Sequence, residues 1–135
     1  MRSEILSIAE STVGVLVLLG ANLYFYRSHR DRSLLLWSLG WSVYALRLVL
    51  TLIEATVLEG PEMVAAIQLA TLVSGYYILA GGLQFVGKAP RARCKLAFGI
   101  AGLWVAVGIS VEAPFWAAAL PAWLTMGIAQ GAVGV

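Results

Sequence analysis

The fold is decided by the stretch at residues 34–58, which reads LLLWSLGWSVYALRLVLTLIEATVL. Only Arg47 and Glu54 carry a charge in this stretch. A helix that crosses the hydrocarbon core of a bilayer needs roughly twenty mostly apolar residues, and this stretch is longer than that. It therefore predicts a membrane-spanning helix with one arginine placed deep inside it.

The rest of the chain has the same character. Of its 135 residues, 61% are hydrophobic and only 12% are charged, and the mean hydropathy is +0.88. Soluble domains carry about 25% charged residues, so a soluble fold of this length would lack the polar surface to cover its core. The lipid bilayer is therefore the predicted solvent. A net charge of +2 with sparse basic residues argues against a nucleic-acid partner.

Four further stretches are long and apolar enough to cross a membrane. The five predicted spans are 5–26, 34–58, 63–86, 96–111 and 115–135. The first is interpreted as a retained span, because it lacks a clear signal-peptide cleavage site and further apolar stretches follow at once. All four breaks are short, so neighbouring helices should be antiparallel. The predicted fold class is all-α: a single polytopic membrane domain formed by an antiparallel bundle of about five transmembrane helices.

The breaks between the spans carry typical helix-end residues. Ser33 is a predicted N-cap for the second helix. Gly60 is expected to end that helix region and Pro61 to open the third helix. Pro121 lies inside the fifth span and should kink it.

Charge predicts the orientation of the bundle. Lys and Arg accumulate in the short cytoplasmic loops of membrane proteins. Two breaks hold seven of the nine basic residues: Arg27, Arg30 and Arg32 in the first, and Lys88, Arg91, Arg93 and Lys95 in the third. The other two breaks carry only acids, namely Glu59, Glu62 and Glu112. This alternation predicts a multi-pass protein of the bacterial inner membrane with its N-terminus outside and its C-terminus in the cytoplasm.

Arg47 is the first candidate site residue. A charge at the centre of a span costs at least about 2.5 kcal/mol on insertion scales, so Arg47 should face the bundle and find a partner. Glu54 lies two helical turns further along the same helix face, roughly 10 Å away. Glu10 in the first span lies at a similar depth. Two interpretations stay open: a ligand or proton site, and a structural ion pair between the first two helices.

Small and amide residues are predicted to support helix packing. Gly127 and Gly131 form a Gly-x-x-x-Gly motif in the fifth span, and the third span holds the small residues Ser74, Gly75, Gly81 and Gly82. Such residues let two helix backbones approach closely. The amides Asn22 and Gln68 are expected to hydrogen-bond to other helices. These contacts, or contacts with a second copy, would make other membrane helices or a homo-oligomer the protein partners.

No residues form a catalytic pattern. The single cysteine, Cys94, allows no intrachain disulfide, and with the single histidine, His29, it forms no recognisable metal-binding spacing. The sequence also lacks a phosphate-binding loop and paired catalytic carboxylates. An aromatic face of the second span, at Trp37, Trp41 and Tyr44, is interpreted as a surface for packing or lipid contact rather than as a chromophore-binding site. The expectation is a chain that is not an enzyme, with no catalytic residue, no metal and no cofactor.

One region resembles a known kind of protein. From Leu23 to Arg47 the chain has an aromatic helix end, a basic turn, the motif Leu36-Trp37-Ser38-Leu39-Gly40-Trp41, and a later arginine. This pattern resembles the N-terminal multi-pass sensor regions of bacterial sensor histidine kinases and diguanylate cyclases. The resemblance implies membrane signalling in a two-component or related system, without a defined ligand. Such regions commonly have more than five spans and pass to a cytoplasmic output domain, and this chain has neither.

Three functions are consistent with these patterns. The first is a sensory or signal-transducing membrane domain without its kinase or cyclase output module. The second is a small structural subunit of a larger membrane complex, and the third, ranked last, is a small transporter that uses Glu10 as a coupling carboxylate. The tail from Gly127 to Val135 has no charged residue to hold it at the interface. That feature favours a fragment of a longer protein, and with it the first function.

Overall fold

The computed structural model describes residues 2–57 and 60–133, and these residues form five helices with no strand among them. The helices are α1 (Arg2–His29), α2 (Arg32–Thr56), α3 (Pro61–Phe85), α4 (Ala92–Ser110) and α5 (Phe115–Val133). The predicted all-α bundle is confirmed. Residue 58, where the second span was expected to end, and residues 134 and 135 of the fifth lie outside the described residues.

Four of the helices, α1 to α4, are long and apolar enough to cross a membrane. Helix α5 has 19 residues, which corresponds to about 28 Å at the rise of an α-helix. It is not among the four helices that are long and apolar enough to cross a membrane. A multi-pass membrane architecture is thus clear from α1 to α4, and a fifth crossing stays a prediction.

The helix ends differ from the span ends in two ways. The predicted spans leave His29 and Cys94 in the connections, but His29 ends α1 and Cys94 lies in the first turn of α4. The reason is that a helix can continue past the hydrocarbon into the interface. The predicted N-cap at Ser33 was wrong, since the Asp31 carboxylate caps α2 by accepting a hydrogen bond from the Ser33 backbone N–H at 2.9 Å. Pro61 opens the third helix as predicted, whereas Gly60, which was expected to end the second helix, is the N-cap of α3.

Helix α3 is the centre of the bundle. It contacts α2, α4 and α5, whereas α1 contacts only α2 within the described part of the chain. The buried apolar core lies between α3, α4 and α5 and contains Leu72, Leu79, Phe98, Ala101, Val105 and Ala122. This arrangement leaves α1 on the outside of the bundle, where it is 6% buried over its most apolar window.

Large apolar side chains are exposed along every helix, as a bilayer solvent requires. Most hydroxyl side chains of the described residues bond inside their own helix. Hydroxyls donate to the carbonyl four residues earlier, as Thr12 does to Ile8 and Thr71 does to Ile67. Asn22 likewise donates to the Leu18 carbonyl oxygen at 2.8 Å. The prediction that Asn22 joins two helices was therefore wrong, because a local acceptor lies within reach.

Candidate functional site at the α2–α3 interface

The interface between α2 and α3 is held together by close backbone approach. A Cβ atom on Gly40 would lie 2.7 Å from Ile78 Cγ1 and 3.2 Å from the Ser74 carbonyl oxygen. A Cβ atom on Gly81 would lie 2.7 Å from Trp37 Nε1. Only glycine fits at both positions, so the two helices are closer there than side chains would allow.

Hydrogen bonds join the same half of the interface. The Trp37 indole N–H donates to the Ile78 carbonyl oxygen at 3.1 Å, and the Ser74 hydroxyl donates to the Gly40 carbonyl oxygen at 2.8 Å. The Trp37 ring also stacks on Phe85, with 5.8 Å between the ring centroids. The aromatic face of α2 thus packs against α3 at Trp37, in line with the packing interpretation.

The register of these contacts places Arg47. Residues seven apart lie two turns along the same helix face. Ser33 of α2 contacts Gly81 of α3, and Gly40 of α2 contacts Ser74 of α3. The second contact lies seven residues later in α2 and seven residues earlier in α3, because the two helices are antiparallel. The next step brings Arg47 level with Ile67. Arg47 therefore belongs to the face of α2 that packs on α3, in the half of the interface beyond the tight glycine contacts.

The Arg47 guanidinium has one hydrogen-bonding neighbour, Tyr44, which accepts a bond from one of its nitrogen atoms. Its Nη1 donates to the Tyr44 hydroxyl oxygen at 3.2 Å, and its Cζ lies 5.2 Å from the centroid of the Tyr44 ring. The ring of Trp41 meets the ring of Tyr44 edge-on at 5.9 Å. Arg47 Nε is buried and has no hydrogen-bond partner. A buried N–H of a charged group without an acceptor is costly, so this position favours an acceptor from outside the described residues.

The two predicted acidic partners do not meet Arg47 in this structure. Neither Glu10 nor Glu54 forms an ion pair with Arg47, and the hydrogen-bonding side chain at Arg47 is Tyr44. Glu54 is half-buried two turns further along α2, and Glu10 is exposed on α1. Seven residues of helix rise separate Arg47 from Glu54 by about 10 Å, and the structure shows no ion pair between them. The structure therefore does not bring the three candidate residues together.

Gln68 is a second buried polar group on α3. It is 8% exposed, and its Oε1 has no hydrogen-bond partner. It follows Ile67, which lies level with Arg47, so an unmatched acceptor and an unmatched donor occur at the same depth of the bundle. Gln68 was expected to bond to another helix, and its carbonyl oxygen does not do so in this structure.

The glycines that make close contacts agree only in part with the predicted ones. Gly75 is buried in α3. Gly127 and Gly131 have nothing within 4 Å of a Cβ position, so within the described part of the chain they pack against no other helix. Their role in packing stays a prediction for a surface that meets another chain. Gly40 and Gly81 make the close contacts between α2 and α3; Gly81 belongs to the small residues predicted to pack in the third span, and Gly40 was not predicted.

Among residues 2–57 and 60–133, no three His, Cys, Asp or Glu side chains lie close enough to hold a metal ion. The fold and the Arg47 site together define a class: a multi-pass α-helical membrane protein with an arginine in a helix interface. Comparison of the chain with protein-family models, with curated proteins and with solved structures finds no match.

Proposed function

We propose that this chain is a membrane-embedded sensory domain in which Arg47 binds a small anionic or hydrogen-bond-accepting ligand. The observation that carries the proposal is the buried Nε–H of Arg47, which has no acceptor although the group lies in a helix interface. Tyr44 orients the guanidinium from one side. A carboxylate or phosphate is the acceptor that a guanidinium binds best, because two parallel N–H bonds can form.

A ligand at Arg47 has a route to change the shape of the bundle. One half of the α2–α3 interface is fixed by Gly40, Gly81 and their hydrogen bonds. The half around Arg47 holds two buried polar atoms without hydrogen-bond partners, Arg47 Nε and Gln68 Oε1. A ligand that prefers one spacing of α2 and α3 would shift the population of that spacing. The half that contains Gly40 and Gly81 would then act as the fixed point against which α2 and α3 move.

The placement in the cell belongs to the same proposal. The sequence supports an inner-membrane protein with the N-terminus outside and the basic α1–α2 and α3–α4 connections in the cytoplasm. The resemblance from Leu23 to Arg47 to sensor regions supports signalling to a kinase or cyclase module. A reading frame that continues past residue 135 into such a module would support this function, and a stop codon there would support a structural subunit.

A structural subunit of a larger membrane complex is the second candidate, and one observation favours it. Glu10 is exposed on α1, and α1 contacts only α2 within the described residues. A carboxylate that faces lipid is unfavourable, so a neighbouring chain that covers this side of α1 would lower its cost. A homo-oligomer or a different subunit would satisfy the same requirement.

The ligand proposal is tested with the purified chain in lipid nanodiscs. Arginine side-chain Nε–H signals are recorded by NMR while acetate, succinate or inorganic phosphate is added, and the Arg47 signal is assigned from Arg47→Lys. We expect one of these anions to shift the Arg47 signal and to raise the melting temperature. Arg47→Gln should abolish both effects, whereas Arg93→Gln, at an exposed position of α4, should leave them intact. Binding that persists in Arg47→Gln, or no response to any of the anions, would contradict the proposal.

A second measurement separates sensing from a structural ion pair. Spin labels at Leu46 and Leu69, which are exposed on α2 and α3, report the spacing of the helices in a Cys94→Ser background. We expect the distance between the labels to change when the anion binds. If Arg47 instead serves only to pair with Glu54, Arg47→Leu should lose less stability when combined with Glu54→Gln, and no anion should change the distance.

A further inference from the structure

A second feature is a cavity at the end of the bundle where α3 ends and α4 begins, which is the end away from Arg47. A cavity of about 650 Å³ opens between α3, α4 and α5, next to the connection between α3 and α4. Its walls are mainly apolar and include Leu83, Ala97 and Phe98. Lys88 and Arg91 line it from the connection, and Cys94 lines it from the first turn of α4.

The cavity forms because the close contacts between α4 and α5 lie at the start of α5, away from the α3–α4 connection. Gly108 of α4 lets Ala118 approach so closely that an added Cβ would lie 3.1 Å from the Ala118 Cβ. The Trp104 indole N–H donates to the Ala117 carbonyl oxygen at 3.1 Å. Both contacts lie in the first turn of α5. Near the α3–α4 connection the side chain of Ile128 is instead mostly exposed, at 72%, so the space between the helices is open.

The charges at this cavity are of one sign. Lys88 and Arg91 are exposed, and no acidic side chain of the described residues lines the cavity. No ion pair within 4.0 Å holds either side chain in the part of the chain that the structure describes. The combination is an apolar cavity at the edge of the membrane-spanning helices with two free cations at its border. Basic pockets between helices at the membrane interface are suited to acidic lipid head groups.

We infer that this cavity is a binding site for one acidic phospholipid from the adjacent leaflet. The phosphate of the head group is bound by Lys88 and Arg91 through charge-assisted hydrogen bonds. An acyl chain lies along Leu83 and Phe98 and fills the apolar space between α3 and α5. The inference does not rest on the proposed function, because Arg47 lines neither this cavity nor the connection beside it.

Native mass spectrometry of the purified full chain tests the site. Phosphatidylglycerol and phosphatidylcholine with the same acyl chains are added to the chain in detergent, and the bound lipids are counted. We expect one phosphatidylglycerol to bind preferentially. The double variant Lys88→Gln/Arg91→Gln should bind it roughly 10- to 30-fold more weakly, the effect of two cations near a membrane surface. The charge-matched control Arg27→Gln/Arg93→Gln removes two exposed cations that do not line the cavity and should retain the preference.

Two further measurements keep the inference falsifiable if the double variant fails to fold. Ala97→Trp keeps every charge but fills the cavity, so it should also lose the bound lipid. In the unmodified chain Cys94 is the only cysteine, and phosphatidylglycerol should slow its labelling by a maleimide more than phosphatidylcholine does. An equal affinity for both lipids, equal loss in the Arg27/Arg93 control, or competition by free glycerol phosphate as strong as by the lipid would each overturn the inference.

Discussion

At the scale of single residues, glycine contacts decide how closely the helices approach. Gly81 lies against the Trp37 ring and the Ser33 carbonyl oxygen, which would be 3.1 Å from an added Cβ. Gly20 of α1 has nothing within 4 Å of the same position. The two glycines look alike in the sequence, because both lie inside apolar helices. Their surroundings make them opposite cases for substitution.

Gly81→Ala should therefore destabilise the bundle. The added methyl group meets the Trp37 ring and backbone rather than a flexible chain end, so we expect a loss of about 1 to 3 kcal/mol, typical of overpacking. Gly20→Ala is the matched control and should be neutral or stabilising by up to about 1 kcal/mol, since alanine favours a helix. Unfolding of both variants in mixed micelles measures the difference. Equal stabilities would mean that α2 and α3 are not held by this contact.

At the scale of one element, Pro121 shapes α5. Proline has no backbone N–H, so the carbonyl oxygen four residues earlier, that of Ala117, loses its normal helical partner. The Trp104 indole N–H donates to that same oxygen at 3.1 Å. A tryptophan of α4 thus compensates for the proline of α5, and this bond holds the two helices together at one end. Neighbouring side chains commonly satisfy backbone groups that proline frees in membrane helices.

Trp104→Phe should weaken the bundle by about 0.5 to 1.5 kcal/mol beyond the small change in apolar area, which is the usual contribution of one hydrogen bond. In a Pro121→Ala background the helix supplies its own donor to Ala117. The same Trp104→Phe change should then cost less, and the double-mutant cycle of unfolding free energies should show the coupling. Additive effects of the two substitutions would show that Trp104 and Pro121 act independently.

At the scale of the whole molecule, the open question is the number of crossings. Helices α1 to α4 are long and apolar enough to span a membrane, and α5 is not among them. The alternation of basic and acidic connections predicts the side on which each connection lies. Whether α5 crosses decides on which side the C-terminal end of this chain lies. A sensory domain with a cytoplasmic output module needs that end inside.

Reporter fusions test both the number of membrane crossings and the side of the membrane on which the C-terminal end of this chain lies. Fusions at Arg32, Gly60, Arg91 and Ala113 should report inside, outside, inside and outside in turn, because four antiparallel crossings precede the last site. A fifth fusion after residue 133 should report inside if α5 crosses the membrane. Two adjacent sites on the same side would overturn the span count, and an outside result for the fifth fusion would reduce it to four.

Hydropathy and helix-end chemistry were enough to predict the elements. The apolar stretches predict five helices, and Gly60 with Pro61 predicts where α3 begins. These features are local, since a backbone in hydrocarbon must form its hydrogen bonds within its own helix. The depth of Arg47 follows from counting residues along α2, and so does its role as the first candidate site residue.

Only the tertiary structure decided which faces meet. It paired Arg47 with Tyr44 instead of with Glu10 or Glu54, and it placed α1 at the edge of the bundle. It also brought Gly40 and Gly81, rather than Gly127 and Gly131, into close contact with a neighbouring helix. The physical reason is that these helices are apolar on nearly all sides, so no amphipathic stripe marks the buried face. Lipid is as apolar as leucine, and shape and hydrogen bonds between helices therefore determine the packing.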